Sequence, residues 1–254
     1  MPLIHQIVLG TNVPPINRQC LDSWRPLERR GFTIVSWTSR SAEDYLANCP
    51  IEEARTLYKR ARNLGEASDI LRMVITYAHG GLYVDWDVLL LDPDKFLDVM
   101  PDLERSNCVL LRDPHTTAPD FACTYDNSLF YLRQGNTLAL DFLRDIERNY
   151  STAHVRDTPF VTGPLALTRF LESRPDHRND CFLVDTLDVY SFDYEAVIEC
   201  TKTDSTREIL KDHPRPSGAP AIHFWTHAWV PQRKWSRRLA DRISRSFRMV
   251  IRAR

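Results

Sequence analysis

Apolar residues recur at helical spacing through Ile70, Leu71, Val74, Ile75 and Ala78, and the run stops at Gly80-Gly81. A 3.6-residue period closed by glycine predicts a helix with a left-handed terminus, with Ser68 or Asp69 as its starting cap. The next residues, Leu82-Tyr83-Val84, read as a buried strand that is broken by Asp85-Trp86-Asp87 before apolar sequence resumes at 88–91. Carboxylates are costly to bury without a partner. Two of them inside so apolar a stretch are expected at an open strand end facing positive charge, for which a divalent metal is the simplest source. The same residues also fit an ordinary turn between two strands, because an Asp-x-Asp triplet by itself is weakly specific.

The rest of the chain alternates in the same manner. Residues 2–10 predict a buried strand, 11–15 a loop, 16–30 a helix, and 32–37, after Gly31, a second strand. Residues 41–63 predict one or two helices, 94–100 a short helix behind the Asp92-Pro93-Asp94 turn, and 107–111 a strand. A loop at 112–120 leads to a strand over 124–131 entered through a polar corner at Asp126-Asn127, then a Gln134-Gly135-Asn136 turn and a helix ending near Tyr150. Asp126 and Asn127 are natural turn formers, whether or not they also meet a ligand. Thr162 is expected to cap a helix with Pro164 in its first turn. Residues 174–180 read as a charged loop, 181–184 and 187–190 as short strands, 201–218 as a polar, Pro-rich stretch, and 221–229 as a last apolar strand carrying His223 and His227. Strand, helix and strand in this order predict an α/β fold whose ligand sits beyond the carboxyl ends of the strands, so Gly10 and the loop after it should face that ligand.

The 254 residues, 43% of them hydrophobic, suit one large domain. A formal net charge of -1 gives no overall attraction to nucleic acid. The charge is unevenly placed, however: residues 233–254 hold nine Lys or Arg against the single acid Asp241. Trp235, Leu239, Ile243, Phe247 and Ile251 recur there at every fourth position, which predicts a basic amphipathic helix over 231–254. Such a helix either lies on an anionic membrane surface or packs its apolar stripe on the domain. A second basic face, Arg55, Lys59, Arg60 and Arg62, is either solvated or turned to a diphosphate. The six scattered cysteines show no Cys-x-x-Cys pair and no zinc spacing, and read as mostly buried thiols in a reducing compartment. With no signal-peptide pattern at the start and no apolar run of about 20 residues, the expected location is cytoplasmic, peripheral at the inner face of the membrane if the basic helix binds it.

Ala67-Ser68-Asp69, Arg72, Gly80-Gly81, Tyr83, Asp85 and Asp87 resemble, position for position, the core of a family of metal-dependent glycosyltransferases with an Asp-x-Asp sugar-binding region. That family includes initiating mannosyltransferases, bacterial capsule enzymes and glucosylating toxins. Sparser likeness lies at Ile4-His5-Gln6-Ile7 with Gly10, at Asn127, at Gly163-Pro164, and at His223 with Trp229. The resemblance implies an α/β, single-domain glycosyltransferase A-type fold over residues 1–230, a Rossmann-like mixed sheet flanked by helices, with the C-terminal basic helix at 231–254 beyond it. It further implies retaining transfer of a hexose from a UDP- or GDP-sugar to a glycan, lipid-linked or protein acceptor, with Mn²⁺ or Mg²⁺. In that scheme Asp87 binds the metal and Asp85 contacts the metal shell and the sugar or ribose. Asp69 and Arg72 orient sugar hydroxyls, Tyr83 lies near the ribose or sugar, and Asn127 lies near the sugar. Ile7 and Val8 border the nucleotide, Gly163 the acceptor side, and Trp229 the β-phosphate.

Two residues depart from the family pattern. Val8 stands where the family has a tryptophan that packs on the base, with Trp37 as the alternative ring, and Ala228 stands where it has a serine. His223 is then the third metal ligand, with His227 in reserve, since a neutral imidazole suits a divalent metal; the alternative for His223 is a buried, hydrogen-bonded place in aromatic packing. Breaking the bond from anomeric carbon to diphosphate builds negative charge on the leaving group, which a carboxylate-held cation neutralises. No residue is marked out as a covalent nucleophile, so a same-face displacement guided by the leaving diphosphate is expected. Two other functions use part of this pattern. One is a nucleotide-sugar binding protein without transfer activity, should Val8 and Ala228 have removed competence. The other is an aspartate-nucleophile phosphatase built on Val84-Asp85-Trp86-Asp87-Val88, for which the downstream acidic motif is missing.

Overall fold

Six strands form one mixed sheet in the order β2-β1-β3-β6-β5-β7 in the computed structural model, which describes residues 2–114, 121–151, 157–191 and 218–226. The expected helix over 231–254, the domain boundary at 230, and His227, Ala228 and Trp229 lie outside those residues. In chain order the first half comprises β1 (Leu3–Val8), α1 (Pro15–Ser23), a 3₁₀ turn (Arg25–Arg30), β2 (Thr33–Thr38), α2 (Ser39–Ala47), α3 (Glu52–Arg60), α4 (Leu64–His79), β3 (Gly81–Val84), β4 (Val88–Leu90) and α5 (Pro93–Val99). The second half comprises β5 (Cys108–Asp113), β6 (Thr124–Leu132), α6 (Thr137–Tyr150), α7 (Thr158–Val161), α8 (Pro164–Ser173), α9 (Pro175–Asn179), β7 (Cys181–Asp185), α10 (Thr186–Val189) and β8 (Ala221–His223). β1 runs parallel to β2 and β3, β6 runs antiparallel to β3 and β5, and β7 is parallel to β5. The carboxyl ends of β1, β2, β3, β5 and β7 and the amino end of β6 therefore share one edge of the sheet, where an α/β fold binds its ligand.

The pleat sends successive side chains to two cores. Ile4, Leu82 and Val84 pack with Trp24, Leu27 and Phe96 on one face, while Ile7, Tyr83 and Phe130 pack with Leu71, Leu57 and Phe142 on the other. This is the mixed sheet flanked by helices that the glycosyltransferase A-type expectation requires. β4 does not continue β3. It pairs antiparallel with β8 in a separate ribbon, held by Trp24 Nε1 donating to the Val88 carbonyl at 2.9 Å and by Leu90 N donating to Ser23 Oγ at 2.9 Å.

α4 begins a turn earlier than apolar spacing predicts. Its cap is Asn63, whose side chain accepts from Glu66 N at 3.0 Å, so Ser68 and Asp69 lie inside the helix. The early turn is not reported by apolar spacing because Gly65 and Glu66 are not apolar. In the fold Glu66 is fully buried, accepting from Arg62 N and Nε at 2.9 and 2.8 Å and from the Tyr150 hydroxyl at 2.6 Å. Arg62 is thus turned inward onto Glu66, and Arg60 lies over the Tyr150 ring, so the expected basic face is divided. Helix α4 ends at Gly80, and Gly81 follows at φ +118°, where an added Cβ would stand 2.7 Å from the Leu3 carbonyl oxygen. Only glycine lets β3 enter the sheet this tightly.

Other local expectations change for physical reasons. Residues 16–30 divide into α1 and a 3₁₀ turn, with Pro26 in the first turn of the second. Residues 187–190 are not a strand, since α10 occupies most of them, and Gly163 rather than Thr162 caps α8. Residues 174–180 contain the short α9. The cysteines are not all thiols. Cys108 and Cys181, 73 residues apart, are register partners on parallel strands and form a disulfide, whereas Cys20 and Cys49 are buried thiols. Pairing of this kind follows from strand register, which cysteine spacing does not report. Among the described residues no helix is long and apolar enough to cross a membrane.

His5 on β1 has both ring nitrogens engaged: Nε2 lies 2.8 Å from the Gly80 carbonyl and donates to it, and Nδ1 accepts from Trp37 Nε1 at 3.2 Å. The ring must be neutral to accept that bond. Burial lowers its pKa from 6.5 to about 4, so between these values the unfolded chain takes up a proton that the folded chain refuses. Folding stability should therefore fall as pH drops from 6.5 towards 4, with His5 contributing up to about 3 kcal/mol. Urea unfolding of the wild type and of His5→Gln over this range checks it: the variant should show a shallower pH slope, and equal slopes would exclude His5 as the source.

Candidate active site

Arg72 projects from the third turn of α4 to the shared edge of the sheet, and it is only 5% exposed. Its Nη2 lies 3.1 Å from Asp69 Oδ1 and 3.1 Å from Asp85 Oδ1, its Nη1 donates to the Asn127 carbonyl at 2.6 Å, and its guanidinium carbon sits 4.5 Å from the centre of the Tyr83 ring. Asp69 is equally enclosed. Its Oδ1 also accepts from Asn127 Nδ2 at 3.0 Å, and its Oδ2 accepts from the Thr162 hydroxyl at 2.6 Å. The Tyr83 hydroxyl donates to Asp85 Oδ1 at 2.5 Å. Burial would weaken the guanidinium's hold on its proton, yet Asp85, Tyr83 and Asp69 outweigh it and keep Arg72 charged.

Asn127 reaches this cluster through a bulge. Leu110 pairs with Phe130 on β6 but Leu111 pairs with Asp126, so residues 127–129 leave the register with β5 and swing towards β3, where Ser128 O accepts from Asp85 N at 2.7 Å. The polar corner expected at Asp126-Asn127 in this strand is the bulge itself.

Asp87, two residues past Asp85, is held by different partners. Its Oδ2 accepts from Thr226 N at 2.8 Å and Thr226 Oγ1 at 3.1 Å, and its Oδ1 lies 3.3 Å from His223 Nε2. The two carboxyls consequently diverge. Burial pushes Asp85 up to about 6 despite Arg72, with Asp87 adding to the rise. Burial acts on Asp87 in the same direction, but His223 and the Thr226 bonds outweigh it and hold that carboxyl at about 2. His223 is itself raised, its desolvation being overcome by Asp87. Trp225, in the left-handed region at φ +43°, stacks on the His223 ring at 4.2 Å, and the Tyr190 ring lies tilted with its centre 5.5 Å from that of His223 while its hydroxyl shares a 2.7 Å hydrogen bond with Ser128 Oγ.

Asp85, Asp87 and His223 each offer one ligand atom within 4.8 Å of the others. Neighbouring ligands of an octahedral ion bound at ~2.1 Å are about 3 Å apart, close to the Asp87 Oδ1 to His223 Nε2 separation. Two carboxylates and an imidazole suit Mg²⁺ or Mn²⁺. Two buried side-chain atoms without a hydrogen-bond partner among the described residues, His223 Nδ1 and Asn17 Oδ1, both lie in this corner, as expected of a site that is incomplete as a purely structural cluster.

The remaining expected residues are dispersed around this edge. Val8 ends β1 half-buried, while Ile7 is a core residue. Gly163 packs against Pro159, where a Cβ would come within 2.9 Å of its Cα, next to the Thr162 that anchors Asp69. Trp37 is 9% exposed, packed between Tyr45 and His79 with its N–H given to His5, so it does not supply the free ring expected in place of Val8. Thr226, Trp225, Tyr190, Asn17 and the Thr162 hydroxyl were not singled out by sequence for this site. A threonine three residues after His223 was the available signal for the first of them.

Residues 14–106 match the family described as glycosyltransferase sugar-binding region containing DXD motif. No curated protein shows a significant sequence match. Among solved structures, the chain is similar to the PaToxG glycosyltransferase, at 18% identity over 68% of this chain and 69% of that one, with a TM-score of 0.49. It is also similar to the ligand-free glycosyltransferase domain of the YGT toxin, at 12% identity over 71% and 79% of the two chains, with a TM-score of 0.50. The UDP-bound form of that toxin domain gives 12% identity, 83% and 88% coverage and a TM-score of 0.47. At these identities the likeness to the ligand-free toxin domain is one of fold. The matched region contains Asp85 and Asp87, and the fold is that of the ligand-free glycosyltransferase domain.

Removing the guanidinium at the centre of the cluster leaves the buried Asp69 and the partly exposed Asp85 uncompensated. Arg72→Met should destabilise the protein by about 3–5 kcal/mol, measured by urea unfolding near pH 7. A loss under about 1 kcal/mol, the worth of a surface pair, would mean that Asp69 and Asp85 do not depend on Arg72.

Proposed function

We propose that the protein transfers a hexose, with retention, from a UDP- or GDP-sugar to a glycan, lipid-linked or protein acceptor, with Mn²⁺ or Mg²⁺ at Asp85, Asp87 and His223. The observation that carries this reading is the convergence of those three side chains at the open edge of the sheet, beside the buried Arg72, within a DXD region. A divalent cation at this corner neutralises charge developing on a diphosphate leaving group. Asp87 presents Oδ1 beside His223 because Oδ2 is occupied by Thr226. Asp85, 21% exposed on its side chain, remains open to a ligand while Arg72 and Tyr83 fix its direction. The burial of Asp69 and Arg72 supports a positioning role for both, acting on the sugar through Asp85 and Asn127. Tyr83, 1% exposed, acts in the same way through Asp85, while Asn127 is assigned to the sugar, Val8 to the nucleotide, Gly163 to the acceptor side and Trp229, outside the described residues, to the β-phosphate.

A second reading, binding of a nucleotide sugar without transfer, is favoured by one observation: Val8 offers no ring, and Trp37 is enclosed in the core. The basic segment 233–254, outside the described residues, carries enough charge to hold the enzyme on an anionic membrane surface, where a lipid-linked acceptor would be found.

Two measurements test these proposals. With Mn²⁺, one of UDP-glucose, UDP-galactose, UDP-GlcNAc or GDP-mannose should raise the melting temperature and be slowly hydrolysed, and Asp87→Ala should lower hydrolysis about 100-fold or more. Binding without hydrolysis selects the second reading, and a product of inverted configuration contradicts retention. Deleting 233–254 should abolish sedimentation with anionic liposomes and leave donor hydrolysis unchanged; liposome binding that survives deletion excludes the membrane role.

A further inference from the structure

We propose that Asn17 is a positioning residue of this site: from α1 it fixes the direction of the Thr226 hydroxyl, so that one oxygen of Asp87 is occupied and the other is left for a cation. The inference rests on the metal-binding role proposed above for Asp87. Asn17 is fully buried, and α1 does not use it as a cap, since Pro14 occupies that position without a side-chain bond. Its Nδ2 lies 3.4 Å from Thr226 Oγ1 and 3.5 Å from the Trp86 carbonyl oxygen. It thereby joins α1, the turn between the two aspartates and the segment after β8.

A threonine hydroxyl has one proton to give. With the Asn17 amide donating to Thr226 Oγ1, that proton is directed at Asp87 Oδ2, 3.1 Å away. Together with the Thr226 backbone N–H at 2.8 Å, this satisfies Oδ2 and leaves Oδ1, beside His223 Nε2, facing the corner. Stability of the fold does not account for the amide. Its Oδ1 has no partner among the described residues, and a buried acceptor without one destabilises a fold. An apolar side chain of the same size would avoid that cost but give up the donor contacts to Thr226 and the Trp86 carbonyl, so the amide is explained by what its donor does.

The test is a double-mutant cycle of Asn17→Leu, which keeps the volume and removes the donor, and Thr226→Val, which keeps the backbone N–H and removes the hydroxyl. Mn²⁺ affinity is read by calorimetry, with Asp87→Ala as control, and exchange of the Thr226 amide is read by NMR in metal-free protein. Each single variant should weaken Mn²⁺ binding about tenfold, the double variant no further, and Asn17→Leu should speed Thr226 amide exchange severalfold. Asn17→Ala serves the same cycle if leucine does not fit. Wild-type affinity in the Asn17 variants, effects that multiply in the double variant, or an unchanged Thr226 amide would overturn the inference. Absence of Mn²⁺ binding by the wild type, or binding that survives Asp87→Ala, would instead defeat the metal reading, and the Thr226 amide then decides the Asn17 contact by itself.

Discussion

One buried guanidinium organises the edge of the sheet. Arg72 stands between Asp69 and Asp85, over the ring of Tyr83, and beneath the carbonyl of Asn127. An isolated charge at this depth would be prohibitive, and so would either carboxylate alone. Each group is tolerable because the others are present. The helix bearing Asp69 and Arg72, the strand ending at Asp85 and the bulge carrying Asn127 are thereby tied into one rigid corner. Tyr150, Glu66 and Arg62 repeat the device at the start of the same helix, fixing its other end.

That rigidity allows two aspartates one residue apart to differ. Asp85 leans on Arg72 and Tyr83 and faces outward, whereas Asp87 is turned under β8 and held by Thr226 and His223. Their pKa values separate, to about 6 and about 2, because burial acts on both but only Asp87 collects enough donors to overcome it. A pair divided in this way keeps negative charge at a chosen place without two equivalent carboxylates repelling each other. The protein needs two remote segments for this, α1 through Asn17 and the stretch after β8 through Thr226, and neither adjoins the aspartates in sequence.

Much of this edge is readable from order alone. The apolar period before Gly80, the strand at 82–84 and the interruption at Asp85 and Asp87 fix a helix that delivers a strand ending in acid, because burial free energy dominates local choice. The Ile4 to Ile7 strand and the alternating pattern after it fix an α/β sheet with its ligand edge. Where the sequence pattern failed, the competing force was tertiary. Ser68 and Asp69 lost the cap to Asn63 because Glu66 could be buried against Arg62 and Tyr150. Thr162 became a partner of Asp69 rather than a cap because α7 brings it there.

The sequence by itself determined the class of fold, the acidic strand end and the residue types gathered at it, since periodicity and the penalty for desolvating charge are local properties of the chain. Tertiary structure alone decided which groups meet. The disulfide of Cys108 with Cys181 follows from the β5 to β7 register, the approach of Asn127 to Asp69 from a bulge in β6, and the hold of Thr226 on Asp87 from the pairing of β8 with β4. Each of these contacts joins residues at least 58 positions apart. Their closeness depends on how strands and helices pack, a property of the whole core that no single stretch of sequence contains.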